Sequence, residues 1–300
     1  MINNFQKAKI YLVIVTYKTE ADSLEKLLNS IKFQVDKVLI VDNTPNFTNG
    51  LEKFRDEKTE IIYLNENTGI AYAQNIGIKK ALEEEADFIM LSDDDTLYPE
   101  NYVNEMLKVF QKKKEEKIAA VAPSFKNVLT GKKNSFVLKS TVGFKKIYPS
   151  SGYYEIFQAI ASGLILNAKY LKEIGLMNEK LFMDFVDFEW CWRAIKKGYK
   201  IIGNANVIIE HKLGDYSKTM SGKQIFLRNP LRHYYITRNN TYLALYNNNL
   251  DFAHRFILFL KSFTYLIGYP LLASPFFKNL KYCLLGFWHG ITKKMGKLNE

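Results

Sequence analysis

The feature that most constrains this chain is an alternation: short, uninterrupted β-branched runs take turns with amphipathic stretches through residue 122. Ile10–Val15 is apolar at every position, as a strand buried on both faces of a parallel sheet must be, and it stops at Thr16-Tyr17-Lys18. Leu24, Leu27, Leu28 and Ile31 then follow helical spacing, with Thr19 and Asp22 expected to form a capping box. Further strands are expected at Lys37–Val41, Glu60–Leu64, Asp87–Leu91 and Ile118–Ala122, with helices over Gly69–Leu82 and Pro99–Phe110 between them. Repeated β-α-β units of this kind predict an α/β fold with a doubly wound, mainly parallel sheet.

In such sheets ligands bind outside the carboxyl ends of the strands, where Thr16, Tyr17, Asp42 and Asn43 would gather. The run Asp87–Leu91 leads to three adjacent carboxylates, Asp93, Asp94 and Asp95. Their mutual repulsion is relieved by a cation, so the triplet reads either as a divalent-metal site or as a solvated turn capping the next helix. The segment Asn67–Gly77 places Asn75 and Gly77 inside a helix, where both lower propensity. They imply close backbone approach, a ligand contact or local packing. Lys112–Lys117 reads as a solvated helix end, and Lys126–Ser151 as a long loop or small hairpin bordering a cleft. Ala161–Leu166 reads as a short strand whose small residues, Ser162 and Gly163, let a substrate approach the backbone.

A second cluster lies in Met183–Arg193, where Asp184, Asp187 and Glu189 stand among large apolar side chains. A helix from about Asp187 to Gly198 would pair Glu189 with Arg193 and leave Asp187 at its amino terminus, as a cap or as a functional carboxylate. Strand-like runs at Tyr199–Ile202 and Val207–Ile209 precede His211. That imidazole is either structural or, if its strand returns beside the triplet, the third ligand of a site with Asp93 and Asp95.

Composition narrows the classes. With 300 residues, 47% of them hydrophobic and 14% aromatic, the chain can fill one large core plus an appendage. A net charge of +11 calls for an anionic partner: nucleic acid, a phosphorylated substrate or an acidic membrane. No helix-turn-helix, zinc-finger or RNP pattern supports nucleic acid, and no Walker or G-x-G-x-x-G loop supports an ATPase or dinucleotide site. Cys191 and Cys283 lie far apart in apolar surroundings and form neither a disulfide framework nor a metal site. Met1–Lys9 lacks a hydrophobic signal core, so a cytoplasmic location is expected.

Val15-Thr16-Tyr17, Val41-Asp42-Asn43, Asn67–Gly77, the Asp93–Asp95 triplet, Ser162-Gly163, Asp187-Phe188-Glu189-Trp190 and His211 together resemble the inverting family 2 glycosyltransferases of GT-A fold. The resemblance covers nearly the whole chain. Pro230–Tyr235, Arg238-Asn239, Gly296-Lys297 and His211–Asp215 are similar to the bacterial rhamnosyltransferases in particular. What it implies is a sheet of the nucleotide-diphospho-sugar transferase type over residues 1–250, with a helical extension over 251–300. It implies Asp187 as the base, Mg2+ or Mn2+ held by Asp93, Asp95 and His211, and a donor bound by Thr16, Tyr17, Asp42, Asn43, Asn67, Gly69, Asn75 and Asp94. Acceptor contacts would come from Ser162, Gly163, Asp184, Glu189 and Trp190, with Trp192, unusual for the family, altering them. The spacing from Asp187 to His211 is similar to that in galactofuranosyltransferases, whose histidine binds the metal.

The expected reaction moves a sugar, from dTDP-rhamnose or alternatively a UDP-hexose, onto a lipid-linked or polysaccharide acceptor. A metal-dependent nucleotidyltransferase or sugar-nucleotide hydrolase is the rival enzyme class. A nucleotidyltransferase should carry a glycine-rich basic loop after its first strand, and Thr16-Tyr17-Lys18 has no glycine. A catalytically silent scaffold is the rival of another kind. In the extension, Ser262–Phe277 is free of charge but interrupted by Pro270 and Pro275, and lysines follow it. It reads as helices lying on the inner face of an anionic cytoplasmic membrane, or as a homodimer contact, and not as a spanning helix.

Overall fold

A computed structural model describes residues 8–46, 50–128, 131, 133–211, 216–220 and 223–299, with only the backbone described at 211, 216–220 and 223–226. The elements run β1 (Ile10–Thr16), α1 (Ala21–Ile31), β2 (Lys37–Asp42), β3 (Thr59–Tyr63), α2 (Ile70–Glu83), β4 (Phe88–Ser92), α3 (Tyr102–Lys112) and β5 (Ile118–Asn127). Short strands β6 (Phe136–Lys139), β7 (Phe144–Ile147), β8 (Tyr153–Glu155) and β9 (Ile165–Asn167) lead to α4 (Ala168–Ile174), α5 (Val186–Lys196) and β10 (Lys200–His211). The strands β11 (Tyr216–Met220) and β12 (Lys223–Leu227) precede three helices, α6 (Pro230–Tyr246), α7 (Phe252–Leu272) and α8 (Phe276–Thr292).

The described residues within 8–138, 146–178 and 187–211 form one compact unit. Its eight-stranded sheet runs β3-β2-β1-β4-β9-β5-β10-β8. The first four strands are mutually parallel, and β10 is parallel to β5. Leu12, Ile14, Val38, Leu39, Ile40, Ile89, Met90 and Leu91 are wholly buried, the two-sided burial that their continuous apolar runs predict. α1 buries Leu24, Leu27, Leu28 and Ile31, and α2 can lie on β1 because Gly77 has no side chain: a Cβ there would sit 2.3 Å from Val13.

The sheet is mixed at its centre. β9 runs antiparallel to both β4 and β5. Ala161–Leu164 is a turn instead of the expected opening of a strand, pinned by Gly163 N–H donating to the Leu91 carbonyl (2.8 Å) and Leu91 N–H donating to the Leu164 carbonyl (2.9 Å). Gly163 has φ +80°, and a Cβ there would meet the Tyr102 hydroxyl at 2.6 Å, so this reversal requires glycine. Two further expectations change. The runs at 199–202 and 207–209 are parts of the single strand β10. The cap of α1 is Glu20, with no side-chain hydrogen bond, because the Thr19 hydroxyl accepts from Tyr17 N–H and donates to Asp94 instead.

The described residues within 139–145, 179–186 and 216–299 form the second unit. Asn229 caps α6 by accepting from Arg232 N–H (2.9 Å), with Pro230 in the first turn. α8 packs closely on α6 through Gly286 and Gly290, whose added Cβ atoms would lie 2.5 Å from the Tyr234 carbonyl and 2.7 Å from the Arg238 carbonyl. Arg238 is wholly buried and donates to the carbonyls of Leu181 (2.8 Å) and Gly296 and to Asn239 Oδ1 (2.9 Å). Asn239 donates in turn to the carbonyls of Leu181, Met183 and Asp184 at 2.6–3.0 Å. The Arg-Asn pair and the Gly296 turn, read separately in the sequence, are thus bonded to one another. α7 starts at Phe252, ahead of the charge-free run, and is 21 residues long. Among the described residues it is the one helix long and apolar enough to cross a membrane by length and composition.

Candidate active site

The carboxyl ends of β1 and β2 are joined by side chains. Thr16 pairs in register with Asp42, and its hydroxyl donates to Asp42 Oδ1 (2.9 Å), as does that of Thr44 (2.8 Å). Asp42 Oδ2 is buried with no hydrogen-bond partner, an acceptor awaiting a donor. Asn43 accepts from the N–H and hydroxyl of Thr68, each at 2.8 Å, and donates to Asn67 Oδ1 (3.2 Å), which accepts Gly69 N–H (3.1 Å). Gly69 has φ +86°, so the loop that Asn43 and Asn67 brace turns into α2 through a conformation glycine alone enters easily. Tyr17 is half-exposed beside this group. Asn75, expected among the donor contacts, has a place in the packing. It is buried and closes a reciprocal pair with the Met177 backbone, accepting from N–H at 2.8 Å and donating to the carbonyl at 2.9 Å, which fastens α2 to the loop after α4.

The triplet follows directly from the end of β4. Asp93 accepts from the Ser162 hydroxyl and Asp94 from the Thr19 hydroxyl, while Asp95 is exposed. Burial, and then the charges of Asp93 and Asp95, push the Asp94 carboxyl up to about 6 against the lowering bond from Thr19. Two residues past Asp95, Leu97 forms a backbone bridge with Glu210. The strand carrying His211 therefore returns beside the triplet; the His211 side chain, and Lys212–Asp215, lie outside the described residues.

Asp187 sits in the first turn of α5, where the helix dipole favours an anion. Its Oδ1 accepts Phe188 N–H (2.8 Å) and its Oδ2 accepts Ala161 N–H (3.2 Å). The next residue, Ser162, is wholly buried and holds Asp93. Two consecutive residues of the 161–163 turn therefore tie the Asp187 carboxylate to the first carboxylate of the triplet. Gly163 shapes that turn.

The remaining acceptor expectations meet interior side chains. Glu189 is buried and paired with Arg193 (Oε1–Nε 3.0 Å, Oε2–Nη2 2.9 Å), as the helical spacing predicts, and Arg193 also donates to the carbonyls of Ile174 and Leu176. Trp190 is wholly buried and its indole donates to the Gly175 carbonyl (2.9 Å). Trp192 is buried with its ring near Phe157 and Phe188. All three side chains are packed in the core. Asp184 belongs to the second unit, where it pairs with Arg232 at 3.2 Å. Sequence reasoning missed Thr19, taken as a cap, and Ala161, whose contribution is a backbone N–H that no side-chain pattern reveals.

Among the described residues no group of three or more His, Cys, Asp or Glu side chains is arranged to hold a metal ion. The carboxylate oxygens of the triplet are hard donors suited to Mg2+ or Mn2+, and the charges of Asp93 and Asp95, which add to burial in raising Asp94, are what a divalent cation would offset.

The family model described as glycosyl transferase family 2 matches residues 11–175. The chain is 33% identical over 250 residues to the dTDP-rhamnosyl transferase RfbF of Shigella flexneri, covering 81% of this chain and 82% of that one. It is 22% identical over 301 residues to the low-salt glycan biosynthesis hexosyltransferase Agl10 of Haloferax volcanii, covering 95% and 92%. Among solved structures it is similar to residues 1–349 of S. aureus TarS in complex with UDP-GlcNAc, with TM-score 0.58 and 17% identity over 95% of this chain and 82% of that one. GalNAc-T7 with UDP, GalNAc and Mn2+ gives TM-score 0.61 and 12% identity over 93% of this chain, which spans 55% of that one. At such identities the two structures establish a shared fold, the GT-A type.

Proposed function

The chain belongs to glycosyl transferase family 2 and is a glycosyltransferase, and on that premise we propose that it transfers rhamnose from dTDP-rhamnose, with inversion, to a lipid-linked or polysaccharide acceptor in bacterial cell-surface glycan synthesis. The observation that carries the reading is the 161–163 turn, which binds Asp187 through Ala161 N–H and Asp93 through the Ser162 hydroxyl. A base and a leaving-group site held by adjacent residues suit an in-line displacement, with an acceptor hydroxyl entering from one side of the anomeric carbon and the nucleoside diphosphate departing on the other.

Asp187 accepts the proton of the acceptor hydroxyl. Its two N–H donors, at 2.8 and 3.2 Å, fix the carboxylate's orientation. Asp42, with one buried oxygen unpartnered, and the Asn43–Asn67–Gly69 brace receive the nucleoside. Mg2+ or Mn2+ held by Asp93, Asp95 and His211 would neutralise the charge developing on the diphosphate oxygens. The rhamnosyl donor is favoured by the similarity to RfbF.

The test is a panel of dTDP-rhamnose, UDP-glucose, UDP-GlcNAc and UDP-galactofuranose, with and without Mg2+ or Mn2+, read by release of the nucleoside diphosphate. Turnover of dTDP-rhamnose that chelation abolishes is the expected result. Preference for a UDP-sugar overturns the donor assignment, metal-independent turnover overturns the metal assignment, and no turnover with any donor and acceptor extract favours the silent scaffold.

A further inference from the structure

α7 has two unlike sides. Its inner side is bonded into the second unit: Asn240 on α6 donates to the Leu258 carbonyl (2.7 Å) and the Ser262 hydroxyl (2.8 Å), Arg255 donates to the Ala244 carbonyl (2.9 Å), and the buried His254 ring contacts the Gly143 carbonyl (2.9 Å). Its outer side carries Phe252, Phe256, Leu260, Phe263, Ile267 and Leu271, at 42–81% exposure. Their spacing of four, four, three, four and four residues keeps them in one stripe of about 100° on a helix. On α8, Phe277, Leu284 and Trp288 are likewise exposed, at 52–82%, and recur at helical spacing. A surface this apolar is not a resting state in water.

The charge along this stretch of chain is of one sign. From Phe252 to Asn299 there are Arg255, Lys261, Lys278, Lys281, Lys293, Lys294 and Lys297, and neither an Asp nor a Glu. We infer that the outer face of α7, continued by Phe277, Leu284 and Trp288, docks on an anionic lipid bilayer, with the aromatic and aliphatic side chains in the interface and the lysines against phosphate headgroups. The helix lies on the bilayer and does not cross it, because hydrocarbon on its inner side would have to replace the hydrogen bonds from α6. A second copy of this chain is the poorer occupant, since a two-fold contact sets a segment without carboxylates against itself, lysine facing lysine. The inference goes beyond sugar transfer and does not depend on which sugar is moved.

The test mixes the full chain with phosphatidylcholine vesicles with or without phosphatidylglycerol, read by co-sedimentation. Binding to the anionic vesicles at least ~10-fold tighter than to the neutral ones, and weakening as salt is raised, is expected. The variant Phe256→Ser/Ile267→Ser/Leu271→Ser, altered only at exposed positions, should keep its melting temperature and lose at least ~10-fold in binding. Lys278→Glu/Lys281→Glu should lose the preference for anionic lipid, a check independent of the apolar substitutions. No binding to anionic vesicles, or equal binding by the wild type and both variants, overturns the inference. So does a dimer in lipid-free sedimentation velocity that the apolar variant converts to monomer, which assigns the face to a second copy.

Discussion

Asp187 is held by Phe188 N–H at 2.8 Å and Ala161 N–H at 3.2 Å, and an asparagine could keep one of these bonds through its amide oxygen. Asp187→Asn therefore preserves shape and removes the proton acceptor. Its kcat should fall by about 10²–10⁴, with donor affinity in calorimetry unchanged within about twofold. Near-normal turnover would remove Asp187 from the base role. The triplet makes a different prediction, because Asp95 is its exposed carboxylate and His211 lies on the strand that returns beside it. Asp95→Ala and His211→Ala should each weaken metal-dependent binding of the nucleoside diphosphate by about 10–100-fold and leave metal-independent binding alone. Unchanged metal-dependent affinity in His211→Ala would make that imidazole structural, whatever the position of its strand beside Leu97.

The elements meet at glycines, where a single methyl group tests the packing. A Cβ on Gly286 would stand 2.5 Å from the Tyr234 carbonyl of α6, a backbone atom that cannot rotate away. Gly286→Ala should push α8 from α6 and cost about 1–3 kcal/mol, seen as a lowered midpoint in urea unfolding; an unchanged midpoint would mean that the two helices slide freely. The elements legible in the sequence were those whose pattern is local. β1, β2 and β4 announce themselves by continuous apolar runs, and α1 by the spacing of Leu24, Leu27, Leu28 and Ile31, all buried. The Glu189–Arg193 pair follows from one helical turn. What the pattern could not show depends on distant partners. The three residues of β9 are too few to declare a direction, which Gly163 and the hydrogen bonds to Leu91 decide. Thr19 has the look of a cap until Asp94 competes for its hydroxyl. Glu189 and Trp190 sit in a segment rich in motif residues, yet Arg193 and the Gly175 carbonyl draw them into the core.

Across the molecule, positive charge and apolar surface accumulate toward the carboxyl terminus, so removing residues beyond Asn249 is the obvious way to make the chain more soluble. The hydrogen bonds of the second unit argue the opposite outcome. Arg238, wholly buried, donates to the Gly296 carbonyl; Asn240 donates to Leu258 and Ser262; the buried His233 ring is 2.7 Å from Asn279 Oδ1. Each of those partners lies beyond residue 249. Burial already holds the Arg238 guanidinium below its usual pKa, a sign of how thoroughly it is removed from water. A chain ending at Asn249 exposes the apolar side of α6 and takes at least one hydrogen-bond partner from each of three polar side chains, at about 1–3 kcal/mol for each buried group left unsatisfied, against a total stability of about 5–15 kcal/mol. The expected result is a truncated protein whose second unit loses its packing: it binds the dye ANS, and its unfolding transition broadens or splits. Arg238→Leu in the full chain should reproduce part of the effect, since it takes the Arg238 donor from the Gly296 carbonyl and leaves the Leu181 carbonyl only its bond from Asn239, while keeping the apolar contacts of α6. A truncated chain that melts as sharply as the full one, without binding the dye, would show that α7 and α8 are carried by the fold and do not help to build it.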